Sequence, residues 1–201
     1  MVHKAYISML LLALSCTGLI HVQSAPASTR PQPLEAKVDM AGIKGTFLFT
    51  PLKHSDTGAT VRIHIQSGLT KQFAVLPTVG FEYHIHLEPV GPGGDCAATL
   101  GHLDPANVGE GKCDPAVPEK CQEGDLSGKH GNLLPTKSGA ISTIKYVDHQ
   151  LAFKGAKTTI AGRSIVIHNN GTRIACANIL PVGTARQKTG SDSGSQKEES
   201  T

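Results

Sequence analysis

The sequence contains no tryptophan, and only 4% of its 201 residues are aromatic. The formal net charge is only +3 and the lysines and arginines are scattered, which argues against a nucleic-acid partner and an anionic membrane surface. No window keeps apolar residues at the 3.6-residue spacing of an amphipathic helix, so a helical bundle is excluded. With 39% hydrophobic residues, 22 glycines and 12 prolines, the chain suits one loop-rich globular domain with a packed core.

The two ends of the chain differ from its centre. Lys4 precedes an apolar run over residues 7–20, and small residues follow it, which is the layout of a secretory signal peptide. The run is too short to span a bilayer, and the polar C-terminal end offers no apolar segment for a lipid anchor. We therefore expect a secreted, extracellular protein without a membrane anchor. We expect a signal peptide over 1–25, a flexible leader over 26–35, a β domain over 36–182 and a disordered polar tail over 183–201.

Several stretches alternate apolar and polar residues with the period of two that is typical of β-strands. In "TVRIHIQ", for example, Val61, Ile63 and Ile65 share one face. Regularly spaced short strands with Gly and Pro turns indicate an all-β fold, an antiparallel sandwich or barrel. The predicted strands are 43–50, 60–66, 81–87, 140–146, 164–168 and 172–180, with a weaker one at 72–76.

The pattern stops between residues 89 and 139, a connection long enough to need a function or a covalent constraint. Cys16 lies in the signal peptide, so the five cysteines of the full chain become four after export. In an oxidising compartment four cysteines form two disulfides, in any of three pairings. A zinc site made of four thiolates is disfavoured because no C-x-x-C pair is present. The four are Cys96, Cys113, Cys121 and Cys176.

The stretch "FEYHIHLEPV" places His84 and His86 two residues apart in a predicted strand. Both imidazoles then point to the same side, roughly 6 to 7 Å apart along the strand, and they can converge on one metal ion. An H-x-H pair alone is more often a polar strand face whose hydrogen bonds are satisfied than a metal site. His168 ends the apolar run "RSIVIH", where a buried imidazole without a ligand or partner would be costly.

Five fragments in chain order together resemble the copper/zinc superoxide dismutase family, a Greek-key β-sandwich. "HIH" matches its paired copper ligands, "GHLDP" its metal-bridging histidine, and "GRSIVIH" its last copper ligand. "GDLSG" matches its G-D-L-G region, and "GTRIAC" its active-site arginine and second half-cystine. The resemblance covers residues 36–182, nearly the whole expected domain.

This resemblance implies the chemistry of the site. Copper would be held by His84, His86, His102 and His168, with His102 released when copper is reduced. Arg173 would bind and orient superoxide beside the copper, and two superoxide anions would give O₂ and H₂O₂. The resemblance also implies the pairs Cys96–Cys176 and Cys113–Cys121, which would pin the long connection.

Two departures point to one subgroup of the family. Gln122 stands where a zinc histidine is expected, and only "NNGT" separates His168 from Arg173. Zinc is therefore not expected, and the chain most resembles the extracellular copper-only enzymes of fungi and oomycetes, which suggests a monomer. That subgroup has a carboxylate at the position of Gln122 to orient the copper-ligand histidine. Asp125, Glu123 and Gln122 are the candidate partners of His102 here.

Three points stay open at the level of the sequence. The domain could bind copper, or serve an extracellular structural role, with little or no turnover. His130 and Asp125 could rebuild a zinc site, although His130 follows Asp125 in the chain instead of preceding it. Asn170 begins an N-x-T glycosylation sequon, and a glycan two residues from His168 would crowd the copper.

Overall fold

Alternating burial along the chain builds two antiparallel sheets. The structure, a computed structural model, describes residues 30–70, 80–111 and 113–184. The expected signal peptide, the weak strand at 72–76 and nearly all of the expected tail lie outside these residues. The strands are β1 (Leu34–Met40), β2 (Ile43–Pro51), β3 (Thr57–Ser67), β4 (Glu82–His86), β5 (Ile141–Ala152), β6 (Ser164–Asn169), β7 (Thr172–Asn178) and β8 (Leu180–Pro181).

One sheet has the strand order β5-β3-β2-β1-β8, and the other has the order β4-β6-β7. All pairings are antiparallel. From β3 to β6 the chain alternates between the sheets, so that β5 pairs with β3 and β6 pairs with β4. Such crossing connections are typical of Greek-key sandwiches, and the predicted all-β antiparallel fold is confirmed.

The core lies between the two sheets and is built from aliphatic side chains with few aromatic rings. Phe47 on β2 faces Tyr83 on β4 across the sandwich, with ring centroids 5.9 Å apart. Both residues are buried, as are Ile63 on β3 and Ile165 on β6. This layer fixes β4 and therefore the backbone that carries the H-x-H pair.

The structure adds elements that the sequence pattern did not indicate. Strand β1 was not predicted, although its residues Leu34, Ala36 and Val38 alternate and are buried. Strand β5 continues six residues beyond its predicted end at 146, to Ala152. The prediction of no helix is wrong at one place, because a single helical turn, α1, spans Leu126–His130. The predicted strand 172–180 is divided between two sheets, because β7 ends at Asn178 and β8 pairs with β1 in the other sheet. The remaining predicted strands match observed ones with small differences at their ends.

The long connection between β4 and β5 contains α1 and three short 3-10 turns, Pro92–Gly94, Ala97–Thr99 and Pro118–Lys120. Two disulfides pin it, Cys96–Cys176 to strand β7 and Cys113–Cys121 within the connection itself. This is the pairing that the family resemblance implied. Among the described residues there is no helix of the length and apolarity that a membrane span requires.

Candidate metal centre

Strand β4 is buried on both faces, which is unusual for a strand at the edge of a sheet. Tyr83 and Ile85 point into the sandwich core, while His84 and His86 point to the other side. His84 is only 8% exposed and His86 only 1%. The long connection therefore covers the histidine face of β4.

Two backbone hydrogen bonds join β4 to two segments of this connection, and a third joins these segments to each other. The N–H of Ile85 donates to Gly124 O (2.9 Å), that of Leu103 to Ile85 O (2.9 Å), and that of Gly124 to Leu103 O (2.8 Å). A side chain at residue 124 would prevent this arrangement, since a Cβ atom there would lie 2.2 Å from Ile85 O. The three segments can meet only because residue 124 is glycine, and their meeting brings His102 and Gln122 beside β4.

Four imidazoles converge at this point. His84 and His86 come from β4, His102 from the connection, and His168 from the end of β6, which pairs with β4. Their ring centroids are between 4.0 Å (His84 to His102) and 6.4 Å (His102 to His168) apart. One possible ligand atom from each lies within 4.8 Å of the others. The structure thus brings together all four histidines that the sequence indicated as ligands.

Three of these imidazoles use Nδ1 to contact an oxygen of the protein. His86 Nδ1 lies 2.8 Å from Leu100 O, His102 Nδ1 lies 2.6 Å from Gln122 Oε1, and His168 Nδ1 lies 3.4 Å from Gly171 O. Carbonyl oxygens only accept, so each Nδ1 carries the proton and each Nε2 keeps its lone pair. The Nε2 atoms of His86 and His168 are only 3.1 Å apart. Two lone pairs at that distance repel each other unless a cation lies between them.

His84 uses the other ring nitrogen, Nε2, for its contacts with the protein. Its Nε2 lies 2.9 Å from Ser127 Oγ and 3.5 Å from Asp125 Oδ1. Its Nδ1 is buried and has no hydrogen-bond partner among the described residues. A buried nitrogen without a partner is costly, and a metal ion would satisfy it. One unsatisfied Nδ1 and three available Nε2 atoms therefore fit a single ion of the kind that imidazole binds, copper or zinc.

Three histidines of this cluster, His84, His86 and His168, are kept neutral. Burial is the main cause that lowers the pKa of His84 to about 2 and that of His86 to about 3, with the neighbouring imidazoles adding to it. The hydrogen bond to Leu100 opposes this shift for His86. Burial also lowers the pKa of His168. Neutral imidazole is the form that binds a metal, so these three side chains need lose no proton at pH 7 to bind one.

Arg173 is fixed beside the cluster by backbone carbonyls. Its Nη1 donates to Cys96 O (3.1 Å) and Ala97 O (3.0 Å), and its Nη2 donates to Leu100 O. Leu100 O also accepts from His86 Nδ1, so one carbonyl links the guanidinium to the cluster. The Cys96–Cys176 disulfide ties this loop to the strand of Arg173, β7. Because these contacts hold the guanidinium in one position, a permanent positive charge lies next to the four imidazoles.

Comparison with known proteins agrees with this geometry. The sequence model of a family described as copper/zinc superoxide dismutase (SODC) matches residues 43–191, well over half of the chain. The chain belongs to the copper/zinc superoxide dismutase family. The resemblance inferred from the five sequence fragments is therefore confirmed.

Individual members of the superoxide dismutase family are similar over much of this chain. The cell surface Cu-only superoxide dismutase 5 of Candida albicans is 36% identical over 145 residues, which cover 71% of this chain and 57% of that protein. A cell surface Cu-only superoxide dismutase of Arthroderma benhamiae is 44% identical over 105 residues, covering 50% of this chain and 28% of that protein. The chain thus spans about half or less of the length of these relatives. The solved Cu(II) structure of Candida albicans superoxide dismutase 5 superimposes with a TM-score of 0.64 at 30% identity, covering 81% of this chain and 99% of that one.

The short segment between the last two site residues of this superoxide dismutase domain is a tight hairpin. Asn170 and Gly171 both have positive φ, 48° and 75°, as a two-residue type I′ turn between β6 and β7 requires. The hairpin places Arg173 opposite His168 in the ladder. No longer loop intervenes, and Asn170 itself is exposed at the tip.

The structure assigns different positions to the three candidate partners of His102. Gln122 contacts it directly, at 2.6 Å. Glu123 points elsewhere and accepts from the N–H of Ala152 (3.2 Å), where burial raises its pKa to about 7. Asp125 caps helix α1 through the N–H of Gly128 (2.8 Å) and lies near His84. Neither carboxylate replaces Gln122 at His102.

Ser127, Lys129 and Asp148, which sequence reasoning did not single out, support the site together with His130. Ser127 contacts His84. The buried Lys129 anchors the same helical turn, since its Nζ lies 2.7 Å from Asp148 Oδ2 on β5. His130 Nε2 lies 2.8 Å from the same oxygen, and its ring stacks on Tyr146. No spacing in the sequence signals these contacts, because Asp148 belongs to the other sheet.

Proposed function

We propose that this chain is an extracellular, copper-dependent superoxide dismutase that converts two superoxide anions and two protons to O₂ and H₂O₂. One observation supports the proposal above all. The buried, unpartnered Nδ1 of His84 lies among three imidazoles with available Nε2 atoms, beside a fixed guanidinium. The names of the relatives, cell surface Cu-only superoxide dismutases, agree with this activity and with an extracellular location.

His84, His86, His102 and His168 are the proposed copper ligands. When bound, copper supplies one-electron cycling between Cu(II) and Cu(I), which zinc does not have. The protein contributes imidazoles that are already oriented. Their outer nitrogens contact Ser127, Leu100, Gln122 and Gly171, and such contacts set the ligand tautomers.

Arg173 is the proposed binding residue for the anion. Superoxide is too small to be recognised by shape, so charge and hydrogen-bond donors must attract and orient it. The three carbonyl contacts of Arg173 keep the guanidinium in one place instead of leaving it mobile in solvent. The tight β6–β7 hairpin places no longer loop between His168 and Arg173.

The proposed centre works without a zinc site. The Nδ1 atom of His102, the nitrogen that a second metal would need, is taken by Gln122 Oε1, and an amide oxygen is a poor zinc ligand. His130 is engaged by Asp148 and Tyr146. We propose that it has a structural role there and does not rebuild a metal site with Asp125.

The proposed organisation of the whole chain is a signal peptide over 1–25, a leader over 26–35 whose last two residues begin strand β1, the superoxide dismutase domain over 36–182, and a polar tail over 183–201. We propose that the domain acts as a monomer, which size-exclusion chromatography with light scattering tests directly. Asn170 is the proposed glycosylation site because it is exposed and stands in a sequon. Endoglycosidase treatment should then change the mass of the secreted protein but not that of an Asn170→Gln variant.

The decisive experiment measures bound metal and superoxide consumption on the same preparation. We expect one copper per chain and rapid superoxide consumption, both lost in His84→Ala and both kept in His149→Ala, a control at an exposed histidine of β5. Copper binding without turnover would favour a copper-binding or structural module instead. Absence of copper would overturn both functions, and one zinc per chain after dialysis against a weak chelator would support a zinc site.

A further inference from the structure

We propose that Asp104 is a positioning residue for His102, acting through Gln122. In this inference the Asp104 carboxylate fixes which end of the Gln122 amide faces the imidazole, and the amide then fixes the tautomer of His102. The inference rests on the proposed function, in which His102 binds the metal. Asp104 lies two residues after His102. The site motifs did not indicate a part for its carboxylate in the site.

The geometry forms a chain of three side chains. His102 Nδ1 lies 2.6 Å from Gln122 Oε1, and Gln122 Nε2 lies 3.4 Å from Asp104 Oδ2. The other contacts of the carboxylate hold it still, since Val108 N–H donates to Oδ1 (2.9 Å) and Gly109 N–H donates to Oδ2 (2.8 Å). Asp104 is thus held in place by its own loop before it meets Gln122.

A glutamine amide is nearly symmetric in shape, and only its hydrogen bonds decide which way it faces. One end accepts and the other donates, whereas a carboxylate only accepts. Asp104 therefore holds the NH₂ end of Gln122 and turns Oε1 towards His102. A carboxylate at position 122 would need no such orientation, because both of its oxygens accept.

The orientation of Gln122 matters for the metal. With Oε1 facing it, Nδ1 of His102 carries the proton, and Nε2 presents a lone pair to the cluster. A flipped amide would direct its NH₂ group at Nδ1 and favour the other tautomer, whose protonated Nε2 cannot bind a metal. The neutral amide of Gln122 suits the carboxylate of Asp104, because it can donate a hydrogen bond to it. A glutamate at position 122 would instead place a second negative charge beside Asp104, and the two carboxylates would repel each other.

The test is a double-mutant cycle with Asp104→Asn and Gln122→Glu, using two measurements on the full domain. Nitrogen-15 NMR of the metal-free protein reports the tautomer of His102, and competition with a chelator reports the Cu(II) affinity. We expect Asp104→Asn alone to mix the tautomers and to lower the affinity about 10-fold, the lower end of typical losses of a ligand's supporting partner. In the Gln122→Glu background the same change should leave the affinity unchanged or raise it.

The matched control is Asp114→Asn, which removes an aspartate that also accepts from its own loop, at Ala116 N–H (2.9 Å), but does not contact His102. The inference is overturned if Asp104→Asn behaves like this control, or if it lowers the affinity equally in both backgrounds. Should Asp104→Asn fail to fold, the wild-type spectrum still decides, because a His102 protonated on Nε2 contradicts the geometry. Wild-type protein that binds no copper would refute the proposed function, whereas the tautomer measurement would still test Asp104.

Discussion

Single atoms of the side chains decide what the four histidines can do. Three imidazoles have Nδ1 engaged by an oxygen, and His84 alone has its Nε2 engaged and its Nδ1 free for the cluster. The cluster therefore presents one Nδ1 and three Nε2 atoms. It can do so only if each ring is held in one orientation. Leu100 O supports two parts of the site at once, since it accepts from His86 and from Arg173.

Arg173→Gln should reduce the second-order rate of superoxide consumption about 10-fold, because the nearest fixed positive charge no longer attracts the anion. The dependence of that rate on ionic strength should become flatter at the same time. Arg62→Gln, on the exposed face of β3, removes one charge elsewhere and serves as the control. Measurements by pulse radiolysis at several salt concentrations would contradict the assigned role if both variants behaved alike.

At the scale of elements, the site depends on where the long connection meets β4. Backbone hydrogen bonds hold the loop against the strand, and they join Ile85, Leu103 and Gly124. One side of β4 is packed in the core, so the loop must adapt to the strand. The glycine is required by close approach, since the φ of Gly124 is not in the left-handed region.

Gly124→Ala should lower the free energy of unfolding by about 1 to 3 kcal/mol, because the new methyl group collides with Ile85 O and forces the backbone apart. Copper affinity should fall as well, since His102 and Gln122 move with the displaced segments. Gly111→Ala is the matched control, as nothing lies within 4 Å of its added Cβ. Urea unfolding and copper titration of both variants check this expectation, which equal stability of the two would refute.

At the scale of the whole molecule, α1 connects the two sheets. It carries Ser127 towards His84 on β4, and its buried Lys129 pairs with Asp148 on β5 in the other sheet. Lys129 Nζ also donates to Glu123 O (2.8 Å) and Gln150 Oε1 (3.1 Å), so its three protons all have acceptors. A helix of one turn is not stable by itself, and these contacts keep it in position.

The stability of the metal-free protein should therefore fall in acid. Burial alone would raise the pKa of Asp148, but the hydrogen bond from His130 and the charge of Lys129 outweigh it and lower the pKa to about 2. A folded-state pKa below the ordinary 3.8 stabilises the protein above pH 4, and this contribution, about 2 kcal/mol, is lost as the pH falls from about 4 to about 2.

Urea midpoints measured across that pH range should decrease in the wild-type protein. Asp148→Asn should be less stable at pH 7, since Lys129 is left buried without its counter-charge. It should also lack the additional decrease between about pH 4 and pH 2. An identical pH profile for the two proteins would show that Asp148 is not the group responsible.

Much of the fold was predictable because it is local. Alternation with period two indicated β2, β3, β4 and β6 within a few residues, and the resemblance of five fragments indicated the ligand histidines and the arginine. The same alternation is present in β1, whose Leu34, Ala36 and Val38 are buried, although the predicted strands begin only at residue 43. Helix α1 was not predictable from periodicity, since one turn is too short to show a helical repeat.

The sequence by itself determined that His84 and His86 share one face, because strand alternation puts them there whatever surrounds them. Only the tertiary structure decided which nitrogen each imidazole offers, that Gln122 is the partner of His102, and that Lys129 meets Asp148. These contacts join segments far apart in the chain, and their geometry depends on how both sheets and the long connection pack. Local patterns contain no information about such distances, so they are settled only when the whole domain folds.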